Sequence, residues 1–264
     1  MLLKILTVIF SIYLLALIFL IIFQRNFLYF PTENNYLTSE KINNENLEFY
    51  ITNDEGHKLK SWFYYNERNK FTILFFHGNA GQLENRIYKL NSFKDIGLNY
   101  LIFSYRGFNS SDGSPTEKGI YSDAESAYLW LLSKGIPENN IIFYGESLGT
   151  GVGVEMAIHN DSAGLILESP FTSITELGKK KFPVFPISLI LKDRFDNESK
   201  FPMLSIPFLI MHGEKDRIVP QDMSFRLIQI KEPSITYFPE NDNHMMEFDE
   251  NLKFKITQFI QQLK

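Results

Sequence analysis

Short apolar runs that alternate with amphipathic segments restrict this chain to a small group of folds. Six runs have the length and composition of strands, and they lie at residues 71–76, 100–105, 140–145, 164–169, 207–213 and 235–240. Between them, apolar side chains recur at helical spacing, as in residues 84–97 and 121–135, each of which ends at a glycine. Two more strand-like segments, at residues 47–51 and 58–65, have the pattern of a hairpin. The sequence therefore predicts an α/β fold with a mostly parallel eight-stranded sheet and helices on both faces.

One stretch, residues 171–205, breaks this alternation. It is too long for a plain connection between a strand and a helix, and it contains three prolines. We expect it to form a small cap inserted between two strands. The alternation resumes after it, with no internal repeat or low-complexity linker, so residues 27–264 are predicted to form a single domain.

An apolar segment precedes this domain. Residues 5–23 carry only Thr7, Ser11 and the hydroxyl of Tyr13 as polar side-chain groups, and a helix of this length spans roughly the 30 Å hydrocarbon core of a bilayer. The alternative is a cleaved signal peptide, but its apolar region is shorter and ends at a small-residue cleavage site, which this sequence lacks. We predict a transmembrane anchor over residues 1–26.

Charge near the anchor bears on its orientation. The amino terminus and Lys4 lie on one side of the predicted span, and Arg25, followed by the aromatic residues Phe27, Tyr29 and Phe30, lies at the other. Positive charge is enriched on the cytoplasmic side of membrane proteins, and aromatic rings are enriched at the membrane interface. We therefore expect a single-pass protein with its body on the extracytoplasmic side.

Composition excludes several classes of site. The chain contains no cysteine, which rules out disulfides, thiolate nucleophiles and cysteine-ligated zinc or iron–sulfur clusters. Its net charge is −5, and its longest cationic run covers only residues 179–181. Nucleic-acid binding needs a clustered basic surface, so we expect no nucleic-acid partner.

The sequence IIFYGESLGTGVG, at residues 141–153, is the first indication of chemistry. Gly-x-Ser-x-Gly between a strand and a helix is the nucleophile elbow, in which a strained turn lifts the serine hydroxyl above the sheet edge. Ser147 is therefore the candidate nucleophile. The same glycines do not form the dinucleotide motif Gly-x-Gly-x-x-Gly, because Val154 stands at the third glycine position, and a phosphate loop is also absent. We expect neither a cofactor nor a metal ion.

A serine hydroxyl needs a base to remove its proton, and five histidines are available. His244 follows the last predicted strand, at the place that suits a base, and is the preferred candidate. The other four lie in the early hairpin, in loops directly after strands or about three turns along the helix after Ser147: His57, His77, His212 and His159.

The base in turn needs a carboxylate that holds its tautomer and stabilises the imidazolium ion. Asp216, after the penultimate predicted strand, gives the chain order Ser–Asp–His and is the preferred candidate. Glu168, at the end of the preceding strand, is the second choice. Asp193 lies in the predicted cap, and Asp242 is too close in sequence to His244 to face its ring easily.

An acyl-transfer site also needs two N–H donors for the developing oxyanion. We expect one donor to be the backbone N–H of Leu148, directly after the serine. The loop HGNAG, after the strand at residues 71–76, puts Asn79 or Ala80 near the elbow as the second donor. The sequence leaves open whether the Asn79 side chain braces this loop instead.

These residues belong to ordered blocks that resemble the α/β-hydrolase superfamily, in particular the small membrane-anchored abhydrolase-domain serine hydrolases that are often grouped with serine aminopeptidases. The blocks are LYFPT, FFHGNAG, SYRGFNSSDG, GESLGTGVG, ESPFTSI, HGEKDRIVP and NDNH. By this resemblance Ser147, Asp216 and His244 occupy the positions of the catalytic triad. Asn109 stands where the family commonly has glycine, and we expect only a local change of the loop there.

The resemblance implies hydrolysis of an ester, a thioester or an amide. We expect a membrane-anchored serine hydrolase acting on an acyl ester or thioester, because apolar residues of the cap could line an acyl pocket or enter the headgroup region. These residues could equally cover core, and they are Phe182, Val184, Phe185, Ile187, Leu189, Ile190 and Leu191.

Two alternatives stay open. An aminopeptidase would need an acidic group for the substrate amine, for which Glu146, Glu168 and Glu176 are candidates. A non-catalytic binding module on the same fold is the second alternative, although such modules usually lack a triad residue, and this chain has all three.

Overall fold

A computed structural model of the chain describes residues 1–31 and 47–263. Thr32, the last residue of the LYFPT block, lies outside the described residues. The strands are β1 (Leu47–Thr52), β2 (Lys58–Tyr64), β3 (Thr72–Phe76), β4 (Asn99–Phe103), β5 (Ile141–Glu146), β6 (Gly164–Glu168), β7 (Phe208–Met211) and β8 (Ile235–Tyr237). They form a single eight-stranded sheet in the order β1-β2-β4-β3-β5-β6-β7-β8.

The sheet is mostly parallel, as the alternating pattern predicts. β2 pairs antiparallel with both β1 and β4, and every other neighbouring pair is parallel. The five strands from β3 to β7 are buried along their whole length, which explains why their sequences are continuous apolar runs. The predicted α/β fold with a mostly parallel eight-stranded sheet is confirmed.

Helices cover both faces of the sheet. The helices of the described residues, of which α1 lies against the cap and not on the sheet, are α1 (Leu2–Leu28), α2 (Ile87–Asp95), α3 (Glu117–Ser133), α4 (Leu148–His159), α5 (Ile174–Lys181), α6 (Ile187–Ile190), α7 (Asn197–Lys200), α8 (Asp222–Ile230) and α9 (Glu250–Ile260). Leu74 and Phe76 of β3 pack with the helices α3 and α4, whereas Ile73 and Phe75 pack with α2 and α9. Alternate side chains of one strand thus belong to two separate cores.

Two helix boundaries differ from the predicted ones for local reasons. α3 begins at Glu117, four residues before the predicted start, because the Thr116 side chain accepts a hydrogen bond from the N–H of Gly119 and caps the helix. α2 begins at Ile87, because the preceding residues Leu83–Arg86 form a 3₁₀ turn. Asn109 has φ +39°. This is the left-handed region, which glycine enters most easily and asparagine tolerates.

The segment between β6 and β7 holds the three short helices α5, α6 and α7, at the place of the predicted cap. α1 packs against this segment. The Arg25 guanidinium pairs with Asp193 at 2.7 Å, and Gln24 bonds to the backbone of Ile190 and Lys192. α1 is long and apolar enough to cross a membrane, and it extends two residues beyond the predicted anchor boundary at residue 26. Tyr29, expected at the membrane interface, is instead buried against Phe108.

Candidate active site

Ser147 lies in a sharp turn between the end of β5 and the start of α4. Its φ is +51°, a conformation that costs energy for a residue with a side chain. The turn brings the neighbouring backbone segments very close together, which only residues without a Cβ atom permit. A Cβ atom on Gly149 would overlap the carbonyl oxygen of Phe76, and one on Gly145 would overlap the backbone of Gly149. Glycine is therefore required at both positions for steric reasons.

His244 bridges Ser147 and Asp216. Its Nε2 is 2.9 Å from Ser147 Oγ, and its Nδ1 is 2.7 Å from Asp216 Oδ2. A carboxylate can only accept, so Nδ1 carries the proton and Nε2 is left to accept from the serine hydroxyl. The three residues follow β5, β7 and β8 in the chain, and the carboxyl ends of these parallel strands meet at one edge of the sheet. This geometry suits removal of the serine proton.

Asp216 is held by four donors. Its Oδ1 accepts from the backbone N–H groups of Ile218 and Val219 at 2.8 and 2.9 Å, and its Oδ2 accepts from His244 and from His212, whose Nε2 is 3.1 Å away. Burial alone would raise the pKa of Asp216. The hydrogen bonds from the two histidines outweigh burial and hold its pKa well below the ordinary value.

Sequence reasoning missed the contact between His212 and Asp216. His212 is fully buried, with Nε2 facing both Asp216 Oδ2 and the carbonyl of Val219, at 3.1 and 3.0 Å. Two acceptors require the proton to sit on Nε2, so Nδ1 accepts from Ser224 Oγ at 2.7 Å. The four-residue spacing between His212 and Asp216 was the available signal, but it indicates a loop contact only once the turn is known.

The remaining histidines have partners other than Ser147. His77 is buried, and its ring bonds to the backbone of Gly78 and Tyr105. Burial lowers the pKa of His77 to about 3, so the ring is neutral and shapes its loop. His57 packs beside Gly113, and the His159 side chain is 60% exposed near the end of α4.

The other candidate acids have different partners. Glu168 is fully buried and accepts from Lys89 and from the hydroxyl of Tyr144. Asp193 pairs with Arg25. The backbone carbonyl of Asp242 accepts from the Lys215 N–H, and among the described residues no hydrogen bond joins its carboxylate to His244.

The two expected oxyanion donors line the same cavity as Ser147. The backbone N–H of Leu148 is the first of α4 and has no acceptor within the helix. For the N–H of Asn79, which follows β3, the described part of the chain provides no acceptor either. The Asn79 side chain donates to the carbonyl of Leu28, so it braces the loop against α1. Ala80 pairs with Phe30 in an isolated parallel bridge.

A buried ion network lies under the elbow, and the sequence did not indicate it. Glu146 accepts from the N–H of Gly78 at 3.1 Å, from Arg86 at 2.7 Å and from Lys89 at 2.6 Å, and Lys89 also bonds Glu168 at 2.7 Å. Burial alone would raise the pKa of Glu146, but Arg86 and Lys89 bring it below its ordinary value. This network ties the residue before the serine to the loop that carries Asn79.

A cavity of about 1020 Å³ opens over Ser147 and His244. Its apolar wall comes from α1 and from the segment between β6 and β7, through Leu20, Phe27, Leu177, Phe182, Ile187 and Ile190. A large apolar cavity with a few convergent polar groups is typical of a small-molecule site. Within residues 1–31 and 47–263, no cluster of three or more histidine and acidic side chains is arranged to hold a metal ion.

Comparison with known proteins gives consistent relatives, although no family model matches the chain. It is 36% identical to human alpha/beta hydrolase domain-containing protein 17B over 176 residues, which cover 65% of this chain and 59% of that protein. It is 32% identical to the mouse lysophosphatidylserine lipase ABHD12 over 189 residues, or 64% of this chain and 47% of the lipase.

A solved structure has the same fold. The esterase Pf2001 of Pyrococcus furiosus superposes with a TM-score of 0.70 at 17% sequence identity, covering 88% of this chain and 97% of the esterase. At this identity the likeness concerns the fold alone.

Proposed function

The chain belongs to the α/β-hydrolase superfamily, and from this premise we propose that it is a membrane-anchored serine hydrolase that cleaves lipid-like acyl esters or thioesters. The observation that carries the proposal is the hydrogen-bonded series from Ser147 through His244 to Asp216 at the floor of an apolar cavity. A base already bonded to the hydroxyl, and itself oriented by a carboxylate, is the arrangement that activates serine.

In the acylation step, Ser147 Oγ attacks the acyl carbon while its proton passes to His244 Nε2. The N–H groups of Leu148 and Asn79 stabilise the negative charge that develops on the carbonyl oxygen. The protonated His244 then gives its proton to the leaving alcohol or thiol, and the bond between the acyl carbon and that group breaks. Asp216 stabilises the imidazolium ion throughout, as its depressed pKa keeps it ionised.

Deacylation repeats the same steps with water. His244 Nε2 takes a proton from a water molecule whose oxygen attacks the acyl carbon, and the returning proton restores the Ser147 hydroxyl as the acid leaves. The product is a free carboxylic acid, and the enzyme ends in its starting protonation state.

The substrate class follows from the walls of the cavity. Leu20 and Phe27 of α1 and Phe182, Ile187 and Ile190 of the cap offer apolar surface next to Ser147, which suits an acyl chain more than a charged substrate. The mouse relative is a lysophosphatidylserine lipase, which is in keeping with a lipid-like ester.

The contacts of α1 support an anchor that is retained. Leu20, Phe27 and Leu28 line the cavity, and Arg25 pairs with Asp193, so cleavage of this segment as a signal peptide would remove one wall of the site.

We propose that the body lies on the extracytoplasmic side, since Arg25 is neutralised by Asp193 and Lys4 is exposed at the other end. A C-terminal reporter that is active only in the cytoplasm should be silent, and an active one would reverse this orientation.

An amide hydrolase acting on free amino termini is less well supported. Glu146 and Glu168 are buried and bonded to Arg86 and Lys89, and Glu176 pairs with Lys179 at 2.6 Å on α5. None of these three candidate carboxylates is left unpaired for a substrate amine.

The test is a substrate panel with the purified full chain in detergent: p-nitrophenyl esters of rising chain length, acyl thioesters and aminoacyl p-nitroanilides. We expect the esters and thioesters to be cleaved, with rates that increase with chain length, and the anilides to be resistant. Ser147→Ala should lower kcat by about 10³-fold or more, while Ser234→Ala, at an exposed serine before β8, should match wild type. Equal rates for the two variants, or cleavage of the anilides alone, would contradict the proposal.

A further inference from the structure

Residues 182–191, here called the cap tip, form an apolar segment between two basic flanks. Ser188 is the only residue of the cap tip with a polar side chain, while Lys179, Lys180 and Lys181 precede it and Lys192 and Arg194 follow it. Two of its apolar side chains are strongly exposed, Val184 at 69% and Leu189 at 83%. A soluble surface seldom presents apolar side chains in this way between cationic residues, whereas a segment that dips into a bilayer does.

The position of the cap tip along α1 sets its depth. Tyr13 stacks on Phe185 with ring centroids 5.3 Å apart, and its hydroxyl donates to the carbonyl of Val184 at 3.1 Å. The distance along the helix from Tyr13 to Phe23, the last residue of the apolar run, is about 15 Å. This is half of the roughly 30 Å hydrocarbon core. If α1 spans the bilayer, the cap tip therefore lies within the leaflet next to the body.

The backbone of the cap tip is prepared for a medium without water. An unbonded carbonyl in hydrocarbon costs several kcal/mol, and two polar side chains of α1 bond to cap-tip carbonyls. Tyr13 donates to Val184 and Gln24 donates to Ile190, at 3.1 and 3.2 Å. Arg194, in the basic flank, donates to the carbonyls of Ser188 and Leu191 at 3.0 and 3.3 Å. These contacts give Tyr13 and Gln24 a role in joining α1 to the cap tip.

The cavity lies between these same two elements. Leu20, Gln24 and Phe27 line it from α1, and Phe182, Ile187 and Ile190 line it from the cap tip. The two elements that would border an acyl chain entering from the leaflet therefore also line the cavity over Ser147.

We infer that the cap tip is embedded in the hydrocarbon of the leaflet next to the body, and that the acyl chain of the substrate enters the cavity from this leaflet. The inference deepens the proposed function and rests on it, since it takes α1 as a membrane span and Ser147 as the site of attack.

Single-cysteine labelling tests this directly, because the chain has no cysteine of its own. Three single-cysteine variants of the full chain each receive an environment-sensitive NBD label: Leu189→Cys in the cap tip, Leu15→Cys on the exposed face of α1 and Glu232→Cys before β8. Each labelled protein is reconstituted into vesicles of phosphatidylcholine and phosphatidylglycerol. Phospholipids with a spin label on the acyl chain serve as quenchers. None of the three positions lines the cavity, and the circular dichroism spectrum and melting temperature of each labelled protein, compared with wild type, check folding.

We expect the labels at Leu189 and Leu15 to be blue-shifted and quenched severalfold more than the label at Glu232. Quenching at Leu15 but not at Leu189 would overturn the inference and leave the membrane anchor of the proposed function intact. Absence of quenching at both sites would contradict the anchor as well. A blue shift at Leu189 without lipid quenching, growing with the protein-to-lipid ratio, would assign the surface to a second copy of the chain and overturn the inference. The readout does not require turnover, so it is separate from the chemistry proposed at Ser147.

Discussion

The Asp216 carboxylate shows how strongly single residues are constrained at this site. Two backbone N–H groups fix one of its oxygens, and two imidazoles share the other. Hydrogen bonds to the charged form of a carboxyl group favour ionisation, which is why its pKa stays depressed despite burial. His244 therefore faces a carboxylate that remains negative well into the acid range.

The depressed pKa of Asp216 makes a prediction about stability. An unfolded aspartate has a pKa of about 3.9, so above about pH 4 the stabilisation from Asp216 is complete. As the pH falls further, the unfolded chain binds the proton first and this stabilisation is lost. We expect the melting temperature of wild type to fall more steeply than that of Asp216→Asn as the pH is lowered from about 5 to about 2. Asp161→Asn, at an exposed site, should follow wild type, and identical slopes for wild type and Asp216→Asn would contradict the account.

Individual residues differed in how far sequence could assign them. Ser147 and His244 were identifiable because a local motif and the order of strands suffice to place them. His212 and Lys89 were not, since their roles depend on contacts across the fold. A lysine on a predicted amphipathic helix is ordinarily solvent-exposed, yet Lys89 is fully buried because Glu146 and Glu168 meet its ammonium group.

At the scale of elements, the junction of β5 and α4 should tolerate very little change. Gly149→Ala places a methyl group on the carbonyl of Phe76 and should destabilise the fold by about 3 kcal/mol or more. Gly153→Ala in the same helix approaches the end of the flexible Leu165 side chain at 3.0 Å, and its contacts with Phe76 at 3.6 Å and Gly145 at 3.8 Å are ordinary. It also gains helix propensity, so its stability should stay within about 1 kcal/mol of wild type. Chemical denaturation measures both. Equal stability of the two variants would show that the close approach at the elbow is not as tight as described.

Element types followed from the sequence more closely than their packing did. Buried strands leave a clear apolar signature, and the glycine endings marked α2 and α3 within a few residues. The apolar face of α1 that packs on the cap could not be distinguished from the rest, because an apolar helix has no polar side to mark where protein replaces lipid. The 3₁₀ turn before α2 depends on reciprocal side-chain bonds between Gln82 and Asn85, which spacing alone does not predict.

At the scale of the whole molecule, α1, the cap and the sheet share one cavity. The Arg25–Asp193 pair joins α1 to the cap at 2.7 Å, and Asp193 is buried. Arg25→Ala should loosen this joint and lower the ratio of kcat/KM for a long-chain ester to that for a short-chain ester by about tenfold, equivalent to about 1.4 kcal/mol. Lys4→Ala, at the far end of α1, should leave the ratio unchanged. If Arg25→Ala left this ratio unchanged, the contact between α1 and the cap would have no part in the selection of chain length.

The central claim is that Ser147 is a nucleophile activated by His244. A fluorophosphonate probe followed by peptide mass spectrometry tests it most directly, since the probe forms a covalent bond only with an activated serine. We predict one adduct, on Ser147, that disappears in Ser147→Ala and falls sharply in His244→Gln. Labelling of Ser147→Ala at the wild-type level, or an adduct elsewhere in the chain with Ser147 unmodified, would contradict the account.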